Sequence, residues 1–521
     1  MKDSYSSREW MSIAMEAYAE SAGDGRKMAE RIVERLGSAN ELVAAFASGV
    51  AELASYALGA GETCATVLDE ERDALEVSRR IVRPVLESRL QRRLVELDKE
   101  TSGAGCCPDC GKTAQSQGQR TRAWVSLLGT LRLRRRYAHC DNCKHGVAAG
   151  QRALGLDWAI FTPSLVQAVT MIATTVPHQM ACELASKLCG VVLSKKALED
   201  MVERRGEGVL ALQEREASEH AAYDGKGLPR PIEPRPVDTV APLQTPEVAY
   251  LEMDGVVPIT RETLSSEELT RSDRERIARA KHEHARGGKG RRYHIVGKEV
   301  KNAVLYTQAD CAEESPARGC ILKKTYVSFL GCWTVFAARV WVELLRLRFD
   351  QAGLLVILSD GADWVRSFAE WLPFKTLLIL DLFHVKHRIW EVANAVYGER
   401  SSDASSWAHA QCDRVEAGQA LMVIDALRFL DTSGAEVQKK LDDLKGYLRN
   451  NLDRMNYPAY RARGLRISSA AVESANFHVT GQRLKCQGMR WSEQGARHMA
   501  ALRADLFNQN WEKRTRQLLV A

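Results

Sequence analysis

The sequence predicts a multi-domain α/β protein in which helical segments and a small zinc ribbon precede a mixed sheet. The chain has 521 residues, enough for several domains at ~100–200 residues each. Apolar residues make up 45% of it, which allows sizeable cores. Helical periodicity dominates before residue 101, whereas apolar strand patterns alternate with helices after residue 247.

The first region, residues 1–100, is predicted to be helical because apolar residues recur at helical spacing, as at Val82, Val85 and Leu86. It contains no catalytic pattern, so a helical bundle or a dimerisation arm is the expected role. Asp3 falls where the apolar core of a secretory signal would begin, and no apolar run is long enough to cross a membrane. We therefore expect a cytoplasmic protein without a membrane partner.

Two CxxC motifs mark the second region, residues 101–150. The four cysteines are Cys107, Cys110, Cys140 and Cys143. Each motif places two thiolates on one tight turn, and two such turns complete a tetrahedral four-cysteine site for structural Zn²⁺. The intervening residues read as two strands around a turn at 128–130. A redox disulfide would require a thioredoxin-like context, which the neighbouring sequence does not provide.

The same region is basic along its whole central stretch. No acidic residue occurs between Lys112 and Cys140, while six arginines do: Arg120, Arg122, Arg132, Arg134, Arg135 and Arg136. Such a one-signed surface suits contact with the phosphates of DNA. A solvated basic face remains the alternative. The net charge of the chain, +6, permits nucleic-acid binding without arguing for it.

Residues 151–222 are predicted to be helical. Residues 178–190 and 195–206 have the outline of a helix-turn-helix that could bind DNA, although two packed helices without a DNA role fit the pattern equally well. Residues 223–247 are rich in proline and form a predicted linker. A charged insert at 261–292 interrupts the next region.

Residues 248–385 contain two apolar strands that each end in an aspartate, Asp254 and Asp360. Side chains at the carboxyl ends of strands line the functional crevice of an α/β sheet. If the two strands are neighbours, the two carboxylates converge and require a cation between them, and Mg²⁺ prefers such oxygen ligands. Either residue could instead cap a helix, as Asp360 could before Gly361.

A third acid lies on a late helix. Residues 386–465 are helical and polar, and residues 466–521 begin with a segment that Ser468 or Ser469 can cap. One face of this segment is polar: Glu473, Asn476, Thr480 and Arg483. An ordinary solvated helix face would look the same. Downstream, Lys485 and Arg490 flank Trp491, which could stack on a DNA base or belong to the core.

Together these motifs resemble the Kra-type insertion-sequence transposases of bacteria, which are DDE enzymes. The resemblance covers roughly residues 100–510 and depends on the order of the motifs CPDC, CDNC, SDGADW, DLFH and SSAAVESANFHVTGQR. It implies an RNase H-like core with an all-helical insertion. It also implies a catalytic triad of Asp254, Asp360 and Glu473, with Asp381 and His384 near the site. A core histidine or a strand-end cap is the alternative for His384.

The expected function is that of a DNA transposase. Two Mg²⁺ or Mn²⁺ ions would be bound by the three acids, the partners would be transposon ends and target DNA, and at least a dimer would assemble on DNA. One alternative is a domesticated or inactive transposase-derived protein that binds DNA through the zinc ribbon without catalysis. Another is a metal-dependent phosphohydrolase of small molecules, which would share the two aspartates but would not explain the ribbon or the Glu473 helix.

Overall fold

The computed structural model describes residues 66–102, 110–156, 160–223, 229–231, 245–263, 293–315, 318–430 and 434–520, together with Cys107 and a few isolated residues. Most of the region 1–65, of the proline-rich linker and of the insert at 261–292 therefore lies outside the described residues. The chain forms two compact units, residues 1–201 with 515–521, and residues 202–514. None of the helices in the described part is long and apolar enough to cross a membrane.

The first unit contains a long helix, the ribbon and a group of shorter helices. The elements are α1 (Val67–Ser102), β1 (Gln115–Ser126), β2 (Gly129–Cys140), β3 (His145–Val147), α2 (Ala149–Ala153), α3 (Pro163–Thr175) and α4 (His178–Cys189). The three strands form one antiparallel sheet in chain order. The turn between β1 and β2 is Leu127–Leu128, one residue earlier than predicted. Gly129 follows it with φ of 105°, which favours glycine.

Helix α1 packs on one face of the ribbon. Leu94 of the helix meets Trp124, Leu133 and Leu156 in a small buried core. Polar side chains of α1 also close the outer edge of β2, because the N–H groups of Arg132, Arg134 and Arg136 donate to Glu87 (2.7 Å), Gln91 (2.7 Å) and Asp98 (3.0 Å). A covered edge cannot pair with another strand. The described part of the N-terminal region thus supports the ribbon.

Helix α5 (Lys195–His220) follows α4 after a short turn in which Gly190 has φ of 67°. The two predicted helices are therefore present, and the later one, α5, has 26 residues. A short strand pair follows, β4 (Ala221–Tyr223) with β5 (Pro229–Pro231).

The second unit is built on a five-stranded mixed sheet. Its strands are β6 (Val248–Val256), β9 (Val300–Thr307), β12 (Thr325–Leu330), β13 (Leu354–Ser359) and β14 (Leu377–Leu380). Their spatial order is β12-β9-β6-β13-β14, with β9 antiparallel to both neighbours and β6, β13 and β14 parallel. In chain order this is third, second, first, fourth, fifth. The two strands that lead to Asp254 and Asp360 were predicted, whereas β12 was not.

Smaller strands lie beside this sheet. They are β7 (Ile259–Thr263), β8 (Tyr293–Gly297), β10 (Cys311–Ser315), β11 (Arg318–Ile321) and β15 (Trp491–Ser492). β15, β7 and β8 form one sheet and β10 pairs with β11.

Helices cover both faces of the five-stranded sheet because its strands alternate their side chains. Ala249, Leu251 and Met253 of β6 pack under α6 (Trp333–Arg346) and α7 (Asp363–Trp371). On the other face, where Tyr250 points, lie α8 (Leu382–Tyr397), α9 (Ser402–Glu416), α10 (Ala420–Ala426), α11 (Ala435–Asn450), α12 (Tyr457–Ala462) and α13 (Ala470–Ala475). The chain ends with α14 (Glu493–Phe507) and α15 (Trp511–Val520). The predicted helical segment at 386–465 matches most of α8 to α12.

Candidate active site and metal centre

Two aspartates lie near the carboxyl ends of two neighbouring inner strands, Asp254 within β6, two residues before its end, and Asp360 directly after β13. Strands β6 and β13 are parallel, and Ser359 pairs with Met253. Asp360, the next residue, therefore emerges beside Asp254. Burial raises the pKa of Asp254 to about 6, and the charge of Asp360 contributes in the same direction. The charge of Asp360 thus adds to burial in disfavouring the ionised form of Asp254.

Both aspartates also make local hydrogen bonds. Asp254 Oδ1 accepts from the N–H of Gly255 at 2.7 Å. Asp360 Oδ1 accepts from the N–H of Ala362 at 3.0 Å, and the Asp360 carbonyl accepts from Tyr447 Oη at 2.8 Å. The N-cap position of α7 is Ala362. Asp360 therefore shapes the turn before α7 without occupying the cap position itself.

The helix that carries Glu473 is hydrogen-bonded to the strand that carries Asp254. Asn476 Nδ2 donates to Asp254 Oδ2 at 2.6 Å, and Asn302 Nδ2 of β9 donates to Asn476 Oδ1 at 2.6 Å. Thr480 Oγ1 extends the chain of bonds by donating to Asn302 Oδ1 at 3.0 Å. The apolar stripe beside this polar face is buried: Val472, Ala475 and Val479. Asn476 thus ties the third acid to the first.

The helix changes its winding immediately after this contact. Residues Asn476–Gly481 form a π-helical segment, which moves Arg483 away from the regular spacing on which its placement beside Glu473 depended. Arg483 is buried and lies over the ring of Trp491 at 4.8 Å. At Gly481 a Cβ atom would come within 2.8 Å of the Asn476 carbonyl oxygen. A glycine is thus required where the wide turn closes.

The buried carboxylate of Asp381 connects the end of β14 to the start of the Glu473 helix. It is the N-cap of α8, accepting from the His384 N–H at 2.8 Å, and it accepts from both the N–H and the hydroxyl of Ser469. Burial alone would raise the pKa of Asp381, but the hydrogen bonds from His384 and Ser469 lower it. Ser469 occupies the predicted N-cap position of α13, yet its hydroxyl bonds Asp381 instead of the helix.

His384 lies between Asp381 and Glu473. Its Nδ1 atom is 3.3 Å from Asp381 Oδ1 and 3.7 Å from Glu473 Oε1. The neighbouring Asp381 carboxylate raises the pKa of His384, and the charges of Glu473 and Asp254 act in the same direction. The Glu473 side chain is 51% exposed, so this end of the site is open to solvent. Asp254, His384 and Glu473 thus belong to one electrostatic cluster.

Sequence reasoning missed a second buried carboxylate, Glu252. Its side chain accepts from Tyr306 Oη at 2.5 Å and from the N–H of Val472 at 2.9 Å, at the start of the helix that carries Glu473. Burial raises the pKa of Glu252 to about 7. The available signal was a glutamate inside the apolar run AYLEMDG, two residues before Asp254. Strand β6 therefore holds this helix at two points.

The carboxylates of the crevice are of the chemical type that hard divalent cations take as ligands. Asp254, Asp360 and Glu473 offer carboxylate oxygens, which are the ligands that Mg²⁺ and Mn²⁺ accept. Ligand atoms of Asp381, His384 and Glu473 lie within 4.8 Å of one another, whereas Asp254, Asp360 and Glu473 do not form such a group among the described residues. Both oxygens of Asp381 already accept hydrogen bonds, so it is suited to positioning the neighbouring groups.

The four cysteines of the ribbon form a compact sulfur cluster. Their ligand atoms lie within 4.8 Å of one another, with Cys110 Sγ 3.6 Å from Cys140 Sγ and Cys107 Sγ 3.9 Å from Cys143 Sγ. Zn–S bonds of about 2.3 Å in a tetrahedron place sulfurs about 3.8 Å apart, so the cluster is compatible with a zinc ion. The hydrogen bond from the Lys112 backbone lowers the pKa of Cys110 to about 7, whereas the hydrogen bond with Cys110 and burial raise the pKa of Cys143 to about 12.

The six arginines of the ribbon occupy two opposite faces, so they do not form one basic surface. Arg120 pairs with Arg135 across the strands, and both lie over the ring of Tyr137, at 4.1 and 5.2 Å. Arg122 lies on the same face, over the Trp124 ring at 5.5 Å. The other face carries the remaining three, Arg132, Arg134 and Arg136, all exposed. The alternation of a strand separates the two groups.

The residues predicted to contact DNA after the Glu473 helix differ in exposure. Lys485 and Arg490 are exposed, whereas Trp491 is half-buried. Trp491 Nε1 donates to the Leu484 carbonyl at 3.1 Å, and Arg483 covers its ring. The tryptophan is therefore held in place by its neighbours, with part of its surface accessible.

Comparison with known proteins gives one family match. The model of an uncharacterised protein family, UPF0236, matches residues 339–517. This stretch begins within α6 and includes β13, β14, the helical segment and the Glu473 helix. It therefore covers Asp360 and Glu473 but not Asp254 or the ribbon. No curated protein matches the chain.

Proposed function

We propose that this chain is a DNA transposase with an RNase H-like catalytic core and a DDE triad of Asp254, Asp360 and Glu473. One observation carries the proposal: two aspartates emerge side by side from parallel strands, and the helix of a third acid is bonded to the first through Asn476. The strand order, with its single antiparallel second strand, agrees with such a core. The matched family is commonly found in transposase-like proteins.

Each side chain of the crevice has a role in this proposal. Two divalent ions, when bound, would activate an attacking oxygen and stabilise the leaving oxygen of an in-line displacement on phosphorus. The three acids serve as ligands and form no covalent bond to DNA. Asn476 orients Asp254, and Asp381 orients His384 beside Glu473. Water would attack the phosphodiester at the element end, and the freed 3′-hydroxyl would then attack target DNA.

The first unit would supply DNA recognition. The zinc ribbon and helices α3 to α5 would bind the terminal inverted repeats, and Lys485, Arg490 and Trp491 would contact DNA nearer the crevice. Exposed cations on rigid elements suit such contacts. We expect at least a dimer on DNA, because two element ends have to be joined to one target.

The test is an end-cleavage and strand-transfer assay with duplexes that carry the sequences flanking the gene. Asp254→Ala, Asp360→Ala and Glu473→Ala should each reduce both reactions at least about a thousandfold, since each removes a metal ligand. Asp363→Ala is the matched control, because this exposed acid lies only three residues beyond Asp360. Full activity in all three variants would exclude the triad. DNA binding without cleavage by the unaltered chain would favour a zinc-ribbon DNA-binding protein without catalysis.

A further inference from the structure

We propose that the exposed face of the β1–β2 ribbon enters the major groove of duplex DNA, where Arg132, Arg134 and Arg136 contact base edges. The inference deepens the DNA-binding part of the proposed function and rests on it. It divides the six arginines of the ribbon into three that read sequence and three that contact phosphates.

The exposed face of the ribbon carries its arginines along one strand. Strand β2 contributes Arg132, Arg134 and Arg136, and the residues opposite them on β1 are Ala123, Thr121 and Gln119. All six are exposed, whereas the reverse face of the hairpin buries Trp124, Leu131 and Leu133, with α1 packed against it. The ribbon therefore offers solvent one long face with arginines along one strand and small or uncharged side chains along the other.

The dimensions of this face match those of the groove. Alternate residues of an antiparallel strand recur about every 6.8 Å, which is two steps of about 3.4 Å. Successive nucleotides of B-DNA also rise about 3.4 Å, so three alternate arginines would meet every second base pair. Paired strands lie about 4.8 Å apart, and the major groove, about 12 Å wide, admits a two-stranded ribbon. Ala123 and Thr121 are short enough to let the backbone approach closely.

The charge of the ribbon fits the same partner. No acidic residue occurs between positions 112 and 140, so neither strand brings a carboxylate toward DNA. Arginine is the side chain that most often donates two hydrogen bonds to O6 and N7 of guanine in the major groove. The Arg134 guanidinium is already oriented, because its Nη2 atom donates to Gln119 Oε1 at 3.0 Å.

The ribbon is also held rigidly enough to read bases. The hydrogen bonds that Glu87, Gln91 and Asp98 accept from the β2 backbone fix the strand at each of the three arginines. Side chains on fixed elements keep a recognition geometry better than those on loops. The edge bonds to α1 therefore support the arginine row directly.

The reverse face suits phosphate contact. Arg120, Arg122 and Arg135 lie close to one another, and the pKa of Arg135 is lowered by burial and further by the charges of Arg122 and Arg120. A polyanion would relieve this repulsion. Phosphate contacts position a protein on DNA but carry no sequence information, so the two faces would divide affinity and specificity between them.

The experiment uses the full-length, zinc-loaded chain with Asp254→Ala, so that bound DNA is not cut. Duplexes are selected from a randomised pool, and the enriched sequence is probed by methylating guanine N7, which lies in the major groove. We expect interference at guanines two base pairs apart. The triple variant Arg132→Lys, Arg134→Lys, Arg136→Lys keeps the charge but loses the paired donors. Its ratio of affinities for the selected duplex and for random duplexes should be at least about tenfold smaller. The salt dependence of its binding should be unchanged, because the charge is kept.

The matched control makes the same change on the reverse face, with Arg120→Lys, Arg122→Lys and Arg135→Lys, and should retain the selected sequence. The zinc content of the triple variant shows whether its ribbon is folded. The single variant Arg134→Lys tests the same change with less disturbance of the fold. An arginine-to-lysine triple variant that keeps the same selectivity and methylation pattern would overturn the inference, as would failure to enrich any duplex. Strand transfer is assayed in parallel. Normal transfer with unchanged selectivity would refute only the ribbon inference, whereas ribbon-dependent selectivity without transfer would refute only the catalytic proposal.

Discussion

The cysteine cluster and the carboxylate crevice bring their ligands together in different ways. The four cysteines lie on two short turns joined by one hairpin, so local structure suffices to bring the thiols together. The three acids of the proposed triad come from two strands and a late helix: the order of the sheet makes the strands of Asp254 and Asp360 neighbours, and Asn476 bonds the helix to Asp254. A site with local ligands can be recognised from residue spacing, whereas a site with distant ligands requires the topology.

The two sites also differ in exposure and charge. Cys107 and Cys140 are buried, and a ring of four thiolates leaves a zinc ion no open position. Glu473 is half exposed, and the pKa of Asp254 is raised by burial and by Asp360. A closed site stabilises a fold, while an open site with carboxylates that repel each other is suited to binding ions and substrate.

Replacing one ribbon cysteine should have the largest effect. Cys140→Ser should abolish stoichiometric zinc binding and unfold the ribbon, because structural zinc contributes about 10 kcal/mol or more in small domains. Zinc analysis and hydrogen exchange over 110–147 measure the loss. Cys182→Ser, outside the cluster, is the control and should change neither. If the contrast is right, Mn²⁺ binding at the crevice persists in Cys140→Ser, and a ribbon that stays folded without zinc would contradict it.

Glu252→Ala should detach the start of the Glu473 helix. The change leaves the N–H of Val472 and the hydroxyl of Tyr306 buried without their acceptor, at a cost of about 3 kcal/mol. We expect a lower free energy of unfolding and at least about tenfold less strand transfer. Tyr306→Phe is the control, since it removes one donor but keeps the bond to Val472. Equal loss of transfer activity in the two variants would show that the bond between Glu252 and Val472 does not hold the helix.

Asp254→Asn should stabilise the protein when divalent ions other than zinc are absent. Because the pKa of Asp254 is about 6 in the fold against 3.8 in the unfolded chain, ionisation destabilises the fold. This penalty is absent below pH 3.8, grows between pH 3.8 and 6, and is complete above pH 6. Asparagine should remove about 2 kcal/mol of it at pH 7.5 and almost none at pH 4. Thermal unfolding at both pH values checks this, and destabilisation at pH 7.5 would count against a strained carboxylate pair.

Gly481→Ala should slightly lower the free energy of unfolding, whereas the same change at Gly446 should slightly raise it. The added methyl group would press on the Asn476 carbonyl, 2.8 Å away, and should cost about 1–2 kcal/mol. Gly446→Ala is the matched control, because a Cβ there meets open space within α11 and should gain about 0.5–1 kcal/mol. Denaturant unfolding of both variants measures the difference. Equal stabilisation by both would mean that the wide turn does not depend on glycine.

Several features of the site could be predicted from sequence because they depend on local patterns. The CxxC turns, the apolar strands before Asp254 and Asp360 and the stripe beside Glu473 all follow from spacing and periodicity. Other features depend on partners that are distant in sequence. Strand β12 was missed because TYVSFL is short and lacks a flanking motif. The π-helical turn was missed too, and Asn476 at its start is hydrogen-bonded to Asn302, a residue far away in the chain.

The arginines of the ribbon show the same limit. Composition revealed six positive charges in one stretch, but only the strand register separates Arg120, Arg122 and Arg135 from the exposed row. The role of α1 was hidden too, since its bonds to β2 depend on tertiary packing.

The most direct test of the central claim is Mn²⁺ binding to the zinc-loaded chain, followed by electron paramagnetic resonance and calorimetry. We expect Asp254→Ala, Asp360→Ala and Glu473→Ala each to weaken Mn²⁺ binding at least about tenfold, while Asp363→Ala leaves it unchanged. Equal Mn²⁺ affinity in the unaltered chain and all three variants would show that these acids do not share an ion, and the proposed catalytic site would have to be abandoned.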